Sequence, residues 1–364
     1  MENLRKSKRD NRIDLLRGFA MLSIAINHVA VIPNRLEFDG WQVPTLTLYG
    51  YSSAAEIFVF LSGYMVGLVY LSKENPEKLL LRRAGTLYAV NVAAFISSWM
   101  IIAVLSPEIR DASGFAFFME SPVSGFALFA VLLVQPLFTD VLALYTALLL
   151  LTALLVSPLR MHPARVILAS LAIYGAVYVA GAMGLTLNVP GGLPEDDWLW
   201  TFNPFTWQFL FIGAVVLGRY RFLSVLFEFL ERNRTFALAI VIILAASIGL
   251  FLAIQALGIY YVPLSGKTNL GPVRLAHAAL VILALMSLLT LIDRRAQEWL
   301  GWLSLIGRHT LPCYAFSIPL TYALAGLWFS LGRTQTAYLL CALMVVLAML
   351  AVATVMERRK QRSL

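Results

Sequence analysis

Apolar runs close to twenty residues long recur along this chain, separated by short stretches in which proline, glycine and charge collect. A run of that length suits an α-helix crossing roughly 30 Å of hydrocarbon at about 1.5 Å per residue. The runs fall at 15–32, 53–72, 84–105, 139–156, 165–185, 203–218, 236–256, 274–292, 304–329 and 336–355. They predict an all-α, polytopic membrane protein of about ten transmembrane helices. A shorter apolar piece at 125–135 is read as dipping into the bundle or lying against it. Strands of a membrane barrel would be about ten residues long and alternate in polarity. Stretches such as Ala237 to Leu257 do not alternate, which excludes a barrel. The 364 residues are 60% hydrophobic and 13% charged, against about 25% charged in a soluble domain. The domain reading is therefore a basic segment at 1–14, one membrane domain at 15–356 and a basic tail at 357–364.

The formal net charge is +8, a value that invites a nucleic-acid partner until the cations are placed. With the N-terminus in the cytoplasm, only Arg35, Arg110, Lys267, Arg274 and Arg333, of 28 Lys and Arg, fall outside. Acids such as Glu195, Asp196 and Asp197 collect in the outside loops. That asymmetry obeys the positive-inside rule, sets both termini in the cytoplasm and favours contact with anionic lipid. No nucleic-acid partner is needed to explain it. The basic stretch from Met1 to Arg17 leads into an apolar run with no small-residue cleavage site after it, so it reads as a retained first helix. Cys313 and Cys341 both fall inside apolar runs and are read as small core residues. Four scattered histidines form no clustered ligand set, so no metal site is expected.

Polar side chains at membrane depth are costly and point to function. Asp14 and Arg17 stand three residues apart at the start of the first helix, and His28 follows Arg17 by eleven. Eleven residues advance about 16 Å along an α-helix and return to within about 20° of the same azimuth. The three share one face, with Arg17 at its cytoplasmic mouth and His28 toward the outer leaflet. The alternative is a local Asp14–Arg17 ion pair and a histidine bonded to a neighbouring helix. The second helix runs inward and places Glu56 at the depth of His28, where a carboxylate would meet and orient an imidazole general base. Its alternative is a solvated helix start.

The run RIDLLRGFAMLSIAINH, Arg12 to His28, resembles the first-helix motif of the membrane acyltransferase-3 superfamily, and EIFVFLSGY, Glu56 to Tyr64, is similar to its second-helix signature. Arg82 and Arg83 match its cytoplasmic basic cluster. AEIFVFLSGY, VQPLFTDVLALY, FNPFTWQFLFIGA, LGPVRLAHAAL and IGRHTLPCYAF together resemble the OpgC-type branch of glucan succinyltransferases. Ser317 departs from the superfamily, many members of which have a second histidine there.

The resemblance implies an enzyme of a bacterial inner membrane. It would take acyl-CoA, succinyl-CoA by branch, as a cytoplasmic co-substrate with no tightly bound cofactor, and deliver the acyl group to a periplasmic glucan. His28 would be the general base and Glu56 its orienting acid. Asp14, Arg17, Ser62, Arg82 and Arg83 would meet the donor, the last two being equally readable as insertion anchors. Gln135, Asp140, Asn203, Trp207 and Gln208, at outer helix ends, would meet the acceptor, although Trp207 also fits an interfacial aromatic belt. Arg274 and His277 would face the acyl group's far end, Arg274 pairing with a succinyl carboxylate; a plain helix-start anchor is the other reading of Arg274. His162 and His309 read as interfacial. Acetylation of another envelope polysaccharide or lipid-linked sugar, and solute transport, are the competing functions.

Overall fold

The computed structural model describes residues 11–191, 199–260 and 262–362. Glu195, Asp196 and Asp197, and the basic residues before Asn11, lie outside the described residues. Among the described residues the regular elements are helical, apart from an isolated bridge between Pro190 and Leu199. In chain order the helices begin with α1 (Asn11–Arg35), α2 (Ala54–Met65) extended by a π turn over Val66–Tyr70, α3 (Pro76–Ile102), α4 (Pro107–Ala112), α5 (Ala116–Glu120) and α6 (Pro122–Ala130). They continue with α7 (Asp140–Leu154), α8 (Val156–Met161), α9 (Pro163–Ala182), α10 (Pro204–Arg219), α11 (Phe222–Arg232) and α12 (Arg234–Ala256). The last are α13 (Pro272–Leu291), α14 (Arg294–Trp299), α15 (Gly301–Arg308), α16 (Thr310–Ser330) and α17 (Gln335–Arg362). Proline at the first turn starts α3, α9, α10 and α13, where its missing N–H costs no helical bond.

Among the described residues seven helices, α1, α3, α9, α12, α13, α16 and α17, are long and apolar enough to cross a membrane. An eighth crossing results if α10 and α11, bent by 73° from one another, count as one. The expectation of ten is therefore met only in part. The shortfall lies in α2 with its π turn, α7 and α10, with 17, 15 and 16 residues, each below the roughly 20 that a crossing needs. The run expected at 304–329 is broken at His309 into α15 and α16. The piece expected at 125–135 corresponds to the nine-residue α6, too short to span. The outermost helices are apolar all round: on α12 only Ala237 and Ile240 are buried, while Leu238, Ile242, Ile243, Leu250 and Leu252 are exposed. A solvent-facing helix would carry a polar face there, and a lipid-facing one needs none.

Two glycine seams bring backbones into contact where the site is assembled. A Cβ on Gly18 would lie 1.9 Å from the Leu303 carbonyl oxygen and one on Gly307 1.8 Å from that of Asp14, so α1 and α15 touch main chain to main chain. A Cβ on Gly67 would lie 1.9 Å from the Val215 carbonyl oxygen and one on Gly218 2.0 Å from that of Tyr64, joining the end of α2 to α10. Small residues at such crossings allow close helix packing in lipid. Gly307→Val should accordingly abolish most of the monodisperse protein recovered by size-exclusion chromatography, while Gly301→Val, whose Cβ meets nothing within 4 Å, should be tolerated. Equal recovery of both variants would contradict the close crossing.

Candidate active site

His28 sits in the second half of α1 against an aromatic wall built from another part of the chain. Its ring stacks on Phe138 at 4.3 Å between centroids and meets Tyr314 edge-on at 6.0 Å. Phe138 lies just before α7 with φ +74°, a conformation that a bulky residue adopts only when its surroundings impose it. The surroundings are visible. The Tyr314 hydroxyl donates to the Phe138 carbonyl at 2.7 Å and the Tyr322 hydroxyl to the Leu137 carbonyl at 2.6 Å, both from α16. The phenols thus pin the loop and aim Phe138 at the imidazole. His28 Nδ1 is buried and has no hydrogen-bond partner among the described residues. A buried polar nitrogen without a partner is unusual in a folded protein.

The structure corrects the expected contact between Glu56 and His28. Glu56 is fully buried, not a solvated helix start. Its Oε2 accepts from the Ser53 backbone N–H and hydroxyl, each at 2.8 Å, as the acid of a capping box at the start of α2. Its Oε1 accepts from Arg274 Nη1 at 2.8 Å. Both oxygens are engaged, so the link from α2 to His28 runs instead through Phe58, stacked at 6.2 Å on the Tyr314 that borders the imidazole. Arg274 also donates from Nε to the Ser265 carbonyl at 3.0 Å. Its principal described partners are therefore protein groups. Beside this pair, His277 Nδ1 lies 2.7 Å from the Ser52 hydroxyl, and His277 Nε2 is buried without a partner among the described residues. Ser52, Ser53, Phe138, Tyr314 and Tyr322 were missed by sequence reasoning; only the Ser53–Glu56 spacing carried a readable signal.

Among the residues expected to meet the donor, Arg17 donates from Nη2 to the Thr310 hydroxyl at 2.8 Å, tying α1 to the start of α16. Ser62 is buried on α2, and Arg83 is half-buried on α3. Asp14 is buried at the Gly307 crossing, and Arg82 is exposed.

Most of the expected acceptor residues turn out to hold the scaffold together. Trp207 has no exposed surface and donates from Nε1 to the carbonyls of Lys267 and Thr268, at 3.2 and 3.1 Å. Its ring is packed inside the bundle rather than presented at the surface. Asn203 caps α10 by accepting from the Phe205 N–H at 3.0 Å and donates to the Leu187 carbonyl and Asn269 Oδ1. Gln208 exchanges hydrogen bonds with Ser170. Gln135 accepts from Asn91 Nδ2 at 2.9 Å and donates to the Val134 carbonyl. A single amide has few hydrogen-bonding atoms, and these are largely occupied. Asp140 and Gln135 nevertheless line a small cleft with Leu133, Ala143, Trp200 and Thr201. His309 pairs with Glu357 at 2.6 Å. Cys313 and Cys341 are free and buried. No cluster of His, Cys, Asp and Glu among the described residues could hold a metal ion.

A family model described as OpgC protein matches residues 9–361. No curated protein and no solved structure matches the chain.

Proposed function

The chain belongs to the OpgC protein family, and from that premise we propose that it is a transmembrane O-acyltransferase moving a succinyl group from cytoplasmic acyl-CoA to hydroxyls of a periplasmic glucan. The family membership supports acyl transfer in glucan modification; the donor, the acyl chain and the sidedness are our reading. We read α2, α7 and α10 as short crossings beside the seven longer helices; an even total of ten puts both termini on one side, and the placing of the basic residues favours the cytoplasmic side of a bacterial inner membrane.

The observation that carries the proposal is the pairing, on α1, of a fixed imidazole with a buried nitrogen lacking a protein partner, and an arginine at the helix's other end. A sugar hydroxyl is a weak nucleophile until a base takes its proton. His28 takes that proton as the hydroxyl oxygen attacks the thioester carbonyl. The carbon–sulfur bond then breaks, the new ester is released, and the departing thiolate leaves as CoA after gaining a proton. Phe138 fixes the imidazole plane throughout. Glu56 acts at one remove, holding Arg274 and the start of α2 in place. Arg17, Ser62 and Arg83 meet the donor, guanidinium groups being suited to phosphate and carbonyl oxygens.

Purified protein supplied with succinyl-CoA and glucan should release free CoA thiol, read by a thiol reagent, and only when both substrates are present. Solute uptake into proteoliposomes without thiol release would favour a transporter and overturn the proposal. Arg17→Ala should raise KM for acyl-CoA by about tenfold, the scale of one lost charge-assisted hydrogen bond, and leave KM for the glucan nearly unchanged. A defect confined to the glucan would reverse the donor assignment.

A further inference from the structure

Away from the His28 wall, the π turn that ends α2 meets α8 and the end of α10 around a cavity of about 400 Å3. Gly67, Leu71 and Ser72 form one side of it, and Arg160, Arg219 and Arg221 the other. The arginines are held in different ways. Arg160 donates from Nε and Nη2 to the Leu71 carbonyl, at 2.9 and 2.6 Å, and from Nη2 to the Lys73 carbonyl at 2.7 Å. Arg219 Nη1 donates to the Leu159 and Arg160 carbonyls. Arg221 has φ +53°, a left-handed backbone that an L side chain adopts only at a cost; its main chain bonds to Gly218 and Ser224, while its guanidinium makes no hydrogen bond or ion pair with the described residues. None of the three guanidinium groups is ion-paired to a carboxylate among the described residues.

A guanidinium has five N–H donors, so the bonds to main-chain carbonyls fix Arg160 and Arg219 without exhausting them. Three like charges converging on one cavity repel one another unless an anion joins them. Phosphate suits such a site, because its oxygens accept from a guanidinium fork in bidentate geometry. The cavity is also within the usual range for small-molecule sites, about 300–1,000 Å3. We propose that the Arg160–Arg219–Arg221 cavity is a phosphate-binding site and that it receives the phosphate groups of the acyl donor. The second clause rests on the acyl-CoA reading above. Ser72 supplies a hydroxyl at the rim, and the Gly67–Val215 contact keeps the π turn close to α10.

The test uses the full chain in nanodiscs of zwitterionic lipid, with CoA and inorganic pyrophosphate as separate calorimetric probes. Arg221→Gln is the main variant, since that side chain bonds to nothing described in the fold; Arg160→Gln/Arg221→Gln is the second, checked for monodispersity. The expected result is a loss of about tenfold in affinity for both probes in the single variant, a larger loss in the double, and a further loss at high salt. Unchanged affinities in both variants would overturn the site. Arginine-dependent binding of pyrophosphate but none of CoA would leave the phosphate site standing and bring down the donor reading. Phosphatidylglycerol that displaces pyrophosphate while CoA binding is unaffected would make the cavity a lipid-headgroup site and overturn the donor assignment.

Discussion

Replacing His28 with alanine should lower acyl transfer by about 10²- to 10⁴-fold, the usual contribution of a general base, with the protein still inserted and monodisperse. The ring lies against Phe138, so truncation removes one stacking contact and no hydrogen bond from its buried Nδ1. Stability should fall little beside rate. The loss should appear in kcat, with KM for acyl-CoA nearly constant, because Arg17, which we assign to the donor, is tied to Thr310 near the other end of α1. Rates measured on protein normalised for monodisperse yield decide the matter. Normal turnover in the variant would remove His28 from the mechanism.

Arg274→Gln should destabilise the folded chain by about 3–5 kcal/mol, the cost of stranding one member of a buried ion pair. Glu56 has no exposed surface and the Arg274 side chain is 15% exposed, with 2.8 Å between their nearest charged atoms. Removing the guanidinium leaves a carboxylate whose other contacts, with Ser53, cannot replace it. Glu56→Gln/Arg274→Gln strands no charge and should recover much of the loss. Thermal unfolding of the single and double variants in one detergent measures this coupling. The pair also changes how Arg274 bears on donor identity, because reduced succinyl transfer in Arg274→Gln would follow from lost structure alone. If that variant is as stable as the native chain, loses succinyl transfer and keeps acetyl transfer, Arg274 reads the acyl carboxylate and the ion pair matters little.

The membrane class of the chain was legible because burial in lipid writes itself into composition: long apolar runs persist whatever the helices do inside them. Helix length was not. The short α2, α7 and α10 and the break at His309 depend on how neighbouring helices and turns accommodate one another, and apolar residues on both sides of a break conceal it. The face shared by Arg17 and His28 follows from helical periodicity and could be read directly. Glu56 shows a nearer miss, since Ser53 three residues before an acid at a helix start is a capping-box spacing. Its partner Arg274, 218 positions away, carried no such local signal. Trp207, Asn203 and Gln208 were polar or aromatic residues at helix ends, a pattern that suits either a sugar site or a scaffold. Only the contacts to Lys267, Thr268, Leu187 and Ser170 separate the two. The wall behind His28 depends on the left-handed backbone of Phe138, and nothing local in a phenylalanine announces that.

The central claim is tested most directly by the mass of the envelope glucans in cells lacking such an activity, with and without this protein supplied. Each ester formed at a hydroxyl adds about 100 Da if the group is succinyl and about 42 Da if it is acetyl. The account predicts steps of about 100 Da with the native chain and none with His28→Ala expressed to the same level. Steps of about 42 Da would contradict the succinyl assignment, and glucans of unchanged mass in the presence of native, inserted protein would contradict the glucan acyltransferase itself.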